Sequence, residues 1–167
     1  YKAYPKVASG LVLDLAYAGG SEKMIGGQVE DVLGEREGKM TVDKLNFIHH
    51  NKTAALITAA VTMGIRLAGD YSEEKLEVAR EIGKNIGLAF QVIDDILDVV
   101  SDDATMGKTT HLDAANEKMT YVSLYGIDRS REIAADLTNK AIADCKKLGG
   151  NCQFLEALIS YMQNRIN

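Results

Sequence analysis

Apolar residues recur with helical spacing along most of the chain, and polar or glycine-containing breaks divide the pattern into segments. The pattern predicts helices near residues 3–18, 21–36, 41–68, 72–101, 112–125, 129–148 and 151–166. The chain has one proline, and its 15 glycines fall largely at segment ends rather than in the turn patterns of strands. The sequence therefore predicts an all-α helical bundle that forms a single domain over residues 1–167.

The segment at 72–101 has the most regular apolar seam in the chain. The seam residues step alternately by three and four: Leu76, Ala79, Gly83, Ile86, Phe90, Ile93, Leu97 and Val100. Such a seam is typical of a helix that packs against other helices. Ser72 occupies the N-cap position, and Glu73 and Glu74 follow in the first turn, where the helix dipole favours acidic residues. We expect this helix to be central and covered on nearly all sides.

Three aspartates interrupt this apolar helix in the stretch FQVIDDILD. Asp94 and Asp98 project from one face a turn apart, and Asp95 lies at the edge of that face. Buried carboxylates are costly unless a cation neutralises them. Magnesium suits them, because it takes one or two carboxylates and fills its remaining positions with water and phosphate oxygens. The alternative is that the three aspartates end the helix and face solvent, as part of the acidic stretch that continues beyond them.

Lysines and hydroxyls lie where they can serve an anion bound by such a metal. Lys52 and Thr53 interrupt a helix otherwise lined by alanine, leucine and isoleucine. Lys108 follows the acidic loop directly, and Lys118 lies further along the chain. Together with the carboxylates and the apolar interior, these cations predict a diphosphate held at the mouth of an apolar cavity.

Gln28 and Asp31 lie one turn apart on another predicted helix, directly after the glycine pair at 26–27. Paired glycines admit the close approach of a neighbouring helix. We therefore include both residues among the candidates for the site.

The charge balance and the cysteines exclude several classes of protein. There are 19 basic and 24 acidic side chains, a net charge of −5, so electrostatic capture of nucleic acid is not expected. Cys145 and Cys152 form no CxxC or Cys/His cluster, which predicts a reducing, cytoplasmic location and no zinc site. Cys145 lies on the apolar stripe of its segment and is predicted to be a core residue. The sequence has no apolar run long enough to span a membrane.

Five motifs of the chain resemble, in order and spacing, those of the trans-type polyprenyl (isoprenyl) diphosphate synthases, the farnesyl and geranylgeranyl diphosphate synthases of bacterial type. The motifs are GGQ..D (26–31), IHHNKTAAL (48–56), GLAFQVIDDILD (87–98), GKTTHLD (107–113) and KMTY (118–121). The resemblance covers essentially the whole chain and identifies FQVIDDILD as the family's second aspartate-rich motif. It implies the isoprenoid synthase fold, a homodimer, and a reaction between an allylic diphosphate and isopentenyl diphosphate.

The resemblance also implies roles for the candidate residues. The implied magnesium ligands are Asp94, Asp95 and Asp98. Lys52 and Lys108, helped by Lys118, would bind the diphosphate of the allylic substrate. Thr53 and Gln91 would lie along the reaction zone and stabilise an allylic carbocation.

Three further residues would complete the substrate site by the same resemblance. Phe90 would face the substrate tail or the isopentenyl group, and Gln28 and Asp31 would face the same cavity from a neighbouring helix. The chain departs from the family pattern at Thr109, where a proline is usual, and at His111, where a glycine is usual. These departures leave Lys108 in register. His49 and His50 are interpreted as ordinary helix residues rather than metal ligands.

The family's first aspartate-rich motif is not found in these 167 residues. We therefore expect the chain to be the C-terminal part of a synthase, with a fold that is incomplete at its N-terminal side and no activity by itself. Two other hypotheses remain open: a catalytically silent partner subunit of a synthase, and a class I terpene cyclase. A cyclase would be expected to carry an NDxxSxxxE-type metal motif, which this sequence lacks. The apolar helix at 7–19 is the candidate dimer interface.

Overall fold

The structure, a computed structural model, describes residues 4–38, 40–69, 71–106 and 119–166, with side chains given to Val100 in the third range. The helices are α1 (Pro5–Gly19), α2 (Met24–Glu37), α3 (Val42–Ile48), α4 (Ala54–Leu67), α5 (Glu73–Met106), α6 (Tyr121–Tyr125), α7 (Ile127–Leu148) and α8 (Gln153–Gln163). A π turn, His49–Thr53, joins α3 to α4, and a 3-10 turn, Asn164–Ile166, follows α8. The described residues contain no strand, so the all-α prediction is confirmed.

The long helix α5 is the central element, packed along α4 on one side and α7 on the other. Its core residues are almost inaccessible to solvent: Leu76, Ala79, Ile82, Ala89, Val92, Ile93 and Ile96. α7 and α8 complete this core with Ala134, Ala141 and Ile159. The predicted seam is buried over most of its length but ends early, because Val100 is 41% exposed.

The predicted start of α5 is confirmed by its cap. The Ser72 hydroxyl accepts a hydrogen bond from the backbone N–H of Lys75 at 3.2 Å, and Glu73 and Glu74 occupy the first turn. Cys145 is also confirmed as a core residue. It is 1% exposed, and burial raises the pKa of its thiol to about 11, so the protonated form dominates at neutral pH.

Two predicted helices differ from the observed ones. The segment 41–68 is not one regular α-helix, because the π turn interrupts it and inserts one extra residue into a helical turn. The segment 112–125 is helical only over Tyr121–Tyr125 among its described residues. Thr120 caps this short helix through a reciprocal capping box with Ser123, so a new helix begins there.

Two glycines of α5 bring its backbone into direct contact with α4. A Cβ atom added at Gly83 would lie 2.4 Å from the Cα of Thr58. A Cβ atom added at Gly87 would lie 2.4 Å from both the Cα and the Cβ of Ala54. Both distances are far below van der Waals contact, so these positions admit only glycine at the observed separation of the helices.

The first helix lies against α4 and leaves much of its apolar surface open. The Arg66 guanidinium ties the two helices together, donating from Nε to Asp14 Oδ2 at 2.6 Å and from Nη2 to Oδ1 at 3.2 Å. On the outer side, Val12 and Leu13 are 68% and 66% exposed. This face supports the predicted homodimer interface, which remains a prediction. In the described part of the chain, no helix is both long and apolar enough to cross a membrane.

Substitution of Gly87 tests the contact between α4 and α5. We expect Gly87→Ala to lower the free energy of unfolding by about 1–3 kcal/mol, because overpacking forces the helices apart. The matched control is Gly64→Ala on α4, where an added Cβ meets no atom within 4 Å. That control should raise stability by about 0.4–1 kcal/mol, since alanine restricts the unfolded chain. Urea unfolding of both variants measures the difference, and equal effects would contradict the contact.

Candidate functional site

A cavity of about 420 Å³ lies between α2, the π turn, the C-terminal half of α5 and the segment that enters α6. It brings together six of the predicted site residues: Asp31, Lys52, Gln91, Asp94, Asp95 and Asp98. Residues from two helices, α2 and α5, and from the π turn therefore line one space. The aspartates do not end the helix, because α5 continues beyond them; all three line this cavity, although Asp98 is also exposed to solvent.

The three carboxylates differ in their surroundings. Asp95 is the most buried, at 8% exposure, and its Oδ2 accepts a hydrogen bond from the backbone N–H of Tyr121 at 2.8 Å. Asp94 is one-third exposed and faces Arg165, with 3.6 Å between Oδ1 and Nη1. Asp98 lies at the exposed edge of the cavity. The hydrogen bond places one oxygen of Asp95 towards the backbone, which leaves Asp94 and Asp98 better placed to face the open space.

Burial is the main cause that raises the pKa of Asp94 above its ordinary value. The positive charge of Arg165 acts in the opposite direction, and the nearby negative charge of Asp98 raises the pKa further. Burial therefore disfavours the ionised form of Asp94 more than the charge of Arg165 favours it. A cation placed beside Asp94 and Asp98 would offset this effect.

The donor set fits magnesium only in part. Among the described residues, no group of three or more His, Cys, Asp or Glu side chains converges closely enough to hold a metal ion by itself. Carboxylate oxygens are nevertheless the protein ligands that magnesium prefers, and it uses one or two of them when water and substrate phosphate supply the others. The site thus fits an ion shared with a phosphorylated ligand, and the ligand roles of the three aspartates stay predictions.

Lys52 supplies a positive charge on the opposite wall. Its Nζ donates to Asp31 Oδ2 at 2.5 Å, and the side chain of Asp31 is 8% exposed while that of Lys52 is 35% exposed. The ion pair therefore joins the π turn to α2, with the carboxylate inside and the ammonium at the cavity surface.

Thr53 turns towards α5, although it directly follows Lys52. Its hydroxyl donates to Gln91 Oε1 at 2.6 Å. The hydrogen bond orients the Gln91 amide at the wall of the cavity. The π turn thus sends two consecutive side chains to two different helices, α2 and α5.

Two described residues of the prediction, Gln28 and Phe90, are not brought into this cluster, and two others lie outside the described residues. Gln28 is exposed and does not line the cavity, and Phe90 packs against the hydrophobic core. Lys108 and Lys118 lie outside the described residues, as do Thr109 and His111. The roles of all these residues remain predictions.

The structure adds two residues that the sequence interpretation missed. Arg165 enters the cavity from the 3-10 turn that follows α8. Tyr121 stacks on His49, with ring centroids 5.4 Å apart, and its hydroxyl donates to Asn46 Oδ1 at 2.8 Å. Tyr121 belongs to the motif KMTY, so the sequence could have indicated it as a site residue. Nothing in the sequence indicates the single Arg165 near the last helix.

Comparison with known proteins gives consistent matches. The family model for "Polyprenyl synthetase" matches residues 13–154. The chain is 43% identical over 159 residues to farnesyl diphosphate synthase of Escherichia coli, covering 93% of this chain and 52% of that protein. It is 42% identical over 131 residues to a chloroplastic geranylgeranyl pyrophosphate synthase of Catharanthus roseus, covering 78% of this chain and 36% of that protein.

Solved structures agree with these matches. A putative farnesyl-diphosphate synthase from Marinomonas sp. MED121 superposes with a TM-score of 0.80 at 33% identity, covering 99% of this chain and 54% of that one. A geranyltransferase from Helicobacter pylori, complexed with magnesium and isoprenyl diphosphate, gives a TM-score of 0.72 at 34% identity, with 96% and 52% covered. The chain spans about half the length of the curated relatives it matches over 159 residues.

The raised pKa of Asp94 predicts how Asp94→Asn changes stability with pH. A carboxyl whose pKa is raised by folding stabilises the folded state below its unfolded pKa, and that contribution is lost as the pH rises through the folded pKa. In metal-free buffer we therefore expect the variant to gain stability over the wild type as the pH rises above 3.8 towards 7. Thermal unfolding across this range measures the trend.

Asp136→Asn is the control for this measurement, because Asp136 is exposed on α7, away from the cavity. If the stability of Asp94→Asn relative to the wild type stays constant with pH, or falls as the pH rises, the electrostatic account of the site is contradicted.

Proposed function

This chain belongs to the polyprenyl synthetase family, and from that membership we propose that the protein carrying it is a prenyltransferase. It condenses isopentenyl diphosphate with an allylic diphosphate to form a longer prenyl diphosphate. The observation that carries the proposal is that Asp94, Asp98 and Lys52 line one and the same cavity. The relatives named as farnesyl and geranylgeranyl synthases support the same reaction class.

In this proposal a diphosphate is bound in two ways, by carboxylates through a metal ion and by lysines directly. Asp94 and Asp98, with Asp95 beside them, would hold a magnesium ion close to the diphosphate. When bound, the ion supplies electrostatic stabilisation to the departing diphosphate. Lys52 contacts the same group from the opposite wall, and we assign Lys108 and Lys118 to it as well. Stabilisation of charge that develops in the transition state is usually the largest single contribution to catalysis.

The carbon skeleton is assigned to the wall between α4 and α5. The Thr53 hydroxyl and the Gln91 amide are held by their mutual hydrogen bond, so their dipoles are fixed before the allylic cation forms. Fixed dipoles cost no reorganisation during the reaction. We assign Phe90 to the substrate tail or the isopentenyl group, and Gln28 to the neighbouring wall.

A homodimer through α1 and a cytoplasmic location complete the proposal. The exposed apolar face of α1, with Val12 and Leu13 each about two-thirds exposed, supports association, because apolar patches on soluble proteins commonly mark interfaces. The cytoplasmic location rests on the cysteine usage, with both Cys145 and Cys152 free.

Substitutions at the two walls of the cavity test the activity. In the protein that carries this chain, Lys52→Ala and Asp94→Ala should each lower turnover by about a hundredfold or more, since each removes a contact made to developing charge. Asp136→Ala on the exposed face of α7 is the control and should retain normal turnover. Incorporation of radiolabelled isopentenyl diphosphate into prenyl products gives the rate, and full activity of either wall variant would refute the proposed roles.

Calorimetry tests the shared magnesium site. We expect magnesium to bind weakly to the protein alone and more tightly when inorganic diphosphate is present, because the carboxylates provide only part of its six-oxygen shell. Asp94→Asn should remove the enhancement by diphosphate, and Asp136→Asn should preserve it. Tight magnesium binding without any diphosphate would show that the protein supplies a complete site.

A further inference from the structure

We propose that α2 positions the Lys52 ammonium through Gly27 and Asp31, and that Asp31 stays on this ammonium while an anion binds to it. Asp31 is then a positioning residue and makes no contact with the substrate, which differs from its predicted role in substrate binding. The identity of the anion as a diphosphate rests on the proposed function. The positioning itself rests on contacts within the chain.

The first contact is between two backbones. A Cβ atom added at Gly27 would lie 2.3 Å from the backbone nitrogen of Lys52, 2.9 Å from its Cα and 3.0 Å from the carbonyl carbon of Asn51. The backbone of α2 therefore lies directly on the π turn at the residue that carries the ammonium. Rigid backbone atoms, rather than a side chain that can move, surround Gly27, so the contact fixes the origin of the Lys52 side chain.

The second contact fixes the end of that side chain. One turn after Gly27, the carboxylate of Asp31 receives the hydrogen bond from Lys52 Nζ at 2.5 Å. Asp31 is buried, with 8% of its side chain exposed. A buried carboxylate that loses its cation is left uncompensated, which is strongly unfavourable. The Lys52 side chain is thus restrained at both ends, at its backbone and at its ammonium group, and both restraints come from α2.

The pair can accept an anion without breaking. A lysine ammonium has three donors, and Asp31 Oδ2 takes one of them. The Lys52 side chain remains 35% exposed and lines the cavity, so its other donors can reach a ligand. The ammonium then lies between two anions and shields the bound anion from the carboxylate.

Chemical labelling of lysines tests this directly. The protein is pulsed with acetic anhydride, and acetylation at each lysine is quantified by mass spectrometry in the wild type, Asp31→Asn and Glu30→Gln. Glu30 is the matched control: it is the adjacent residue on α2 and pairs with Lys44, at 3.6 Å, instead of Lys52. Asp31→Asn preserves side-chain volume, and its melting temperature is recorded alongside.

We expect Asp31→Asn to raise the labelling rate of Lys52 by about tenfold, the factor for one lost hydrogen bond between charged groups, with Lys146 on α7 unchanged. Glu30→Gln should leave Lys52 unchanged. Inorganic diphosphate should protect Lys52 in the wild type and protect it less in Asp31→Asn. Gly27→Ala should raise Lys52 labelling as well, while Gly64→Ala should not.

Three results would overturn the proposal. Unchanged Lys52 labelling in Asp31→Asn would mean that Asp31 does not hold the ammonium. A rise at all lysines would mean that Asp31 supports the fold in general. Stronger protection by diphosphate in Asp31→Asn would mean that the carboxylate competes with the anion. Labelling requires no prenyl transfer, so a protein that labels as expected but shows no isopentenyl incorporation would refute the proposed function and leave the positioning intact.

Discussion

The backbone contact between α4 and α5 determines where most of the site residues lie. Gly83 and Gly87 remove the side chains that would otherwise separate these two helices, so the end of the π turn, directly before α4, lies close to α5. The bond from Thr53 to Gln91 follows directly from this approach. Because α7 covers the other side of α5, the long helix cannot shift to relieve the contact, and its acidic end keeps a fixed position relative to the π turn.

The packing of the helices also determines which charged side chains pair at the cavity. Each wall carries an ion pair of its own: Lys52 with Asp31 on one side, and Arg165 with Asp94 on the other. The two pairs differ in strength of contact. The first is short and has its carboxylate buried, whereas the second is 3.6 Å long and partly exposed. Burial raises the pKa of Asp94, and the charge of Arg165 offsets this only in part. The acidic wall is consequently the one that gains most from an added cation.

Periodicity was sufficient to predict the all-α fold, the central place of α5 and the capped start at Ser72, since each depends on residues close in sequence. The acidic cluster was also predictable, because carboxylates are costly in an otherwise apolar helix unless they line a polar site. The π turn was not, since one extra residue in a turn leaves the apolar spacing almost unchanged. Arg165 was missed because its approach to Asp94 depends on how α8 packs. The exposure of Gln28 depends likewise on the tilt of α2, which the glycines permit but do not specify.

The π turn at His49–Thr53 also rotates the apolar face of α4 relative to that of α3. An α-helix advances by about 100° per residue, so one inserted residue rotates the apolar stripe of everything that follows. α3 packs against α2 through the side that includes Leu45, while α4 turns Ala54 and Ala55 towards α5 and α1. In a regular α-helix without the inserted residue, the apolar stripes of α3 and α4 would have to pack against neighbours on the same side of the helix. The inserted residue instead lets α3 and α4, which are continuous through the π turn, pack against different neighbouring helices. Lys52 and Thr53 lie in the turn where this change of direction occurs.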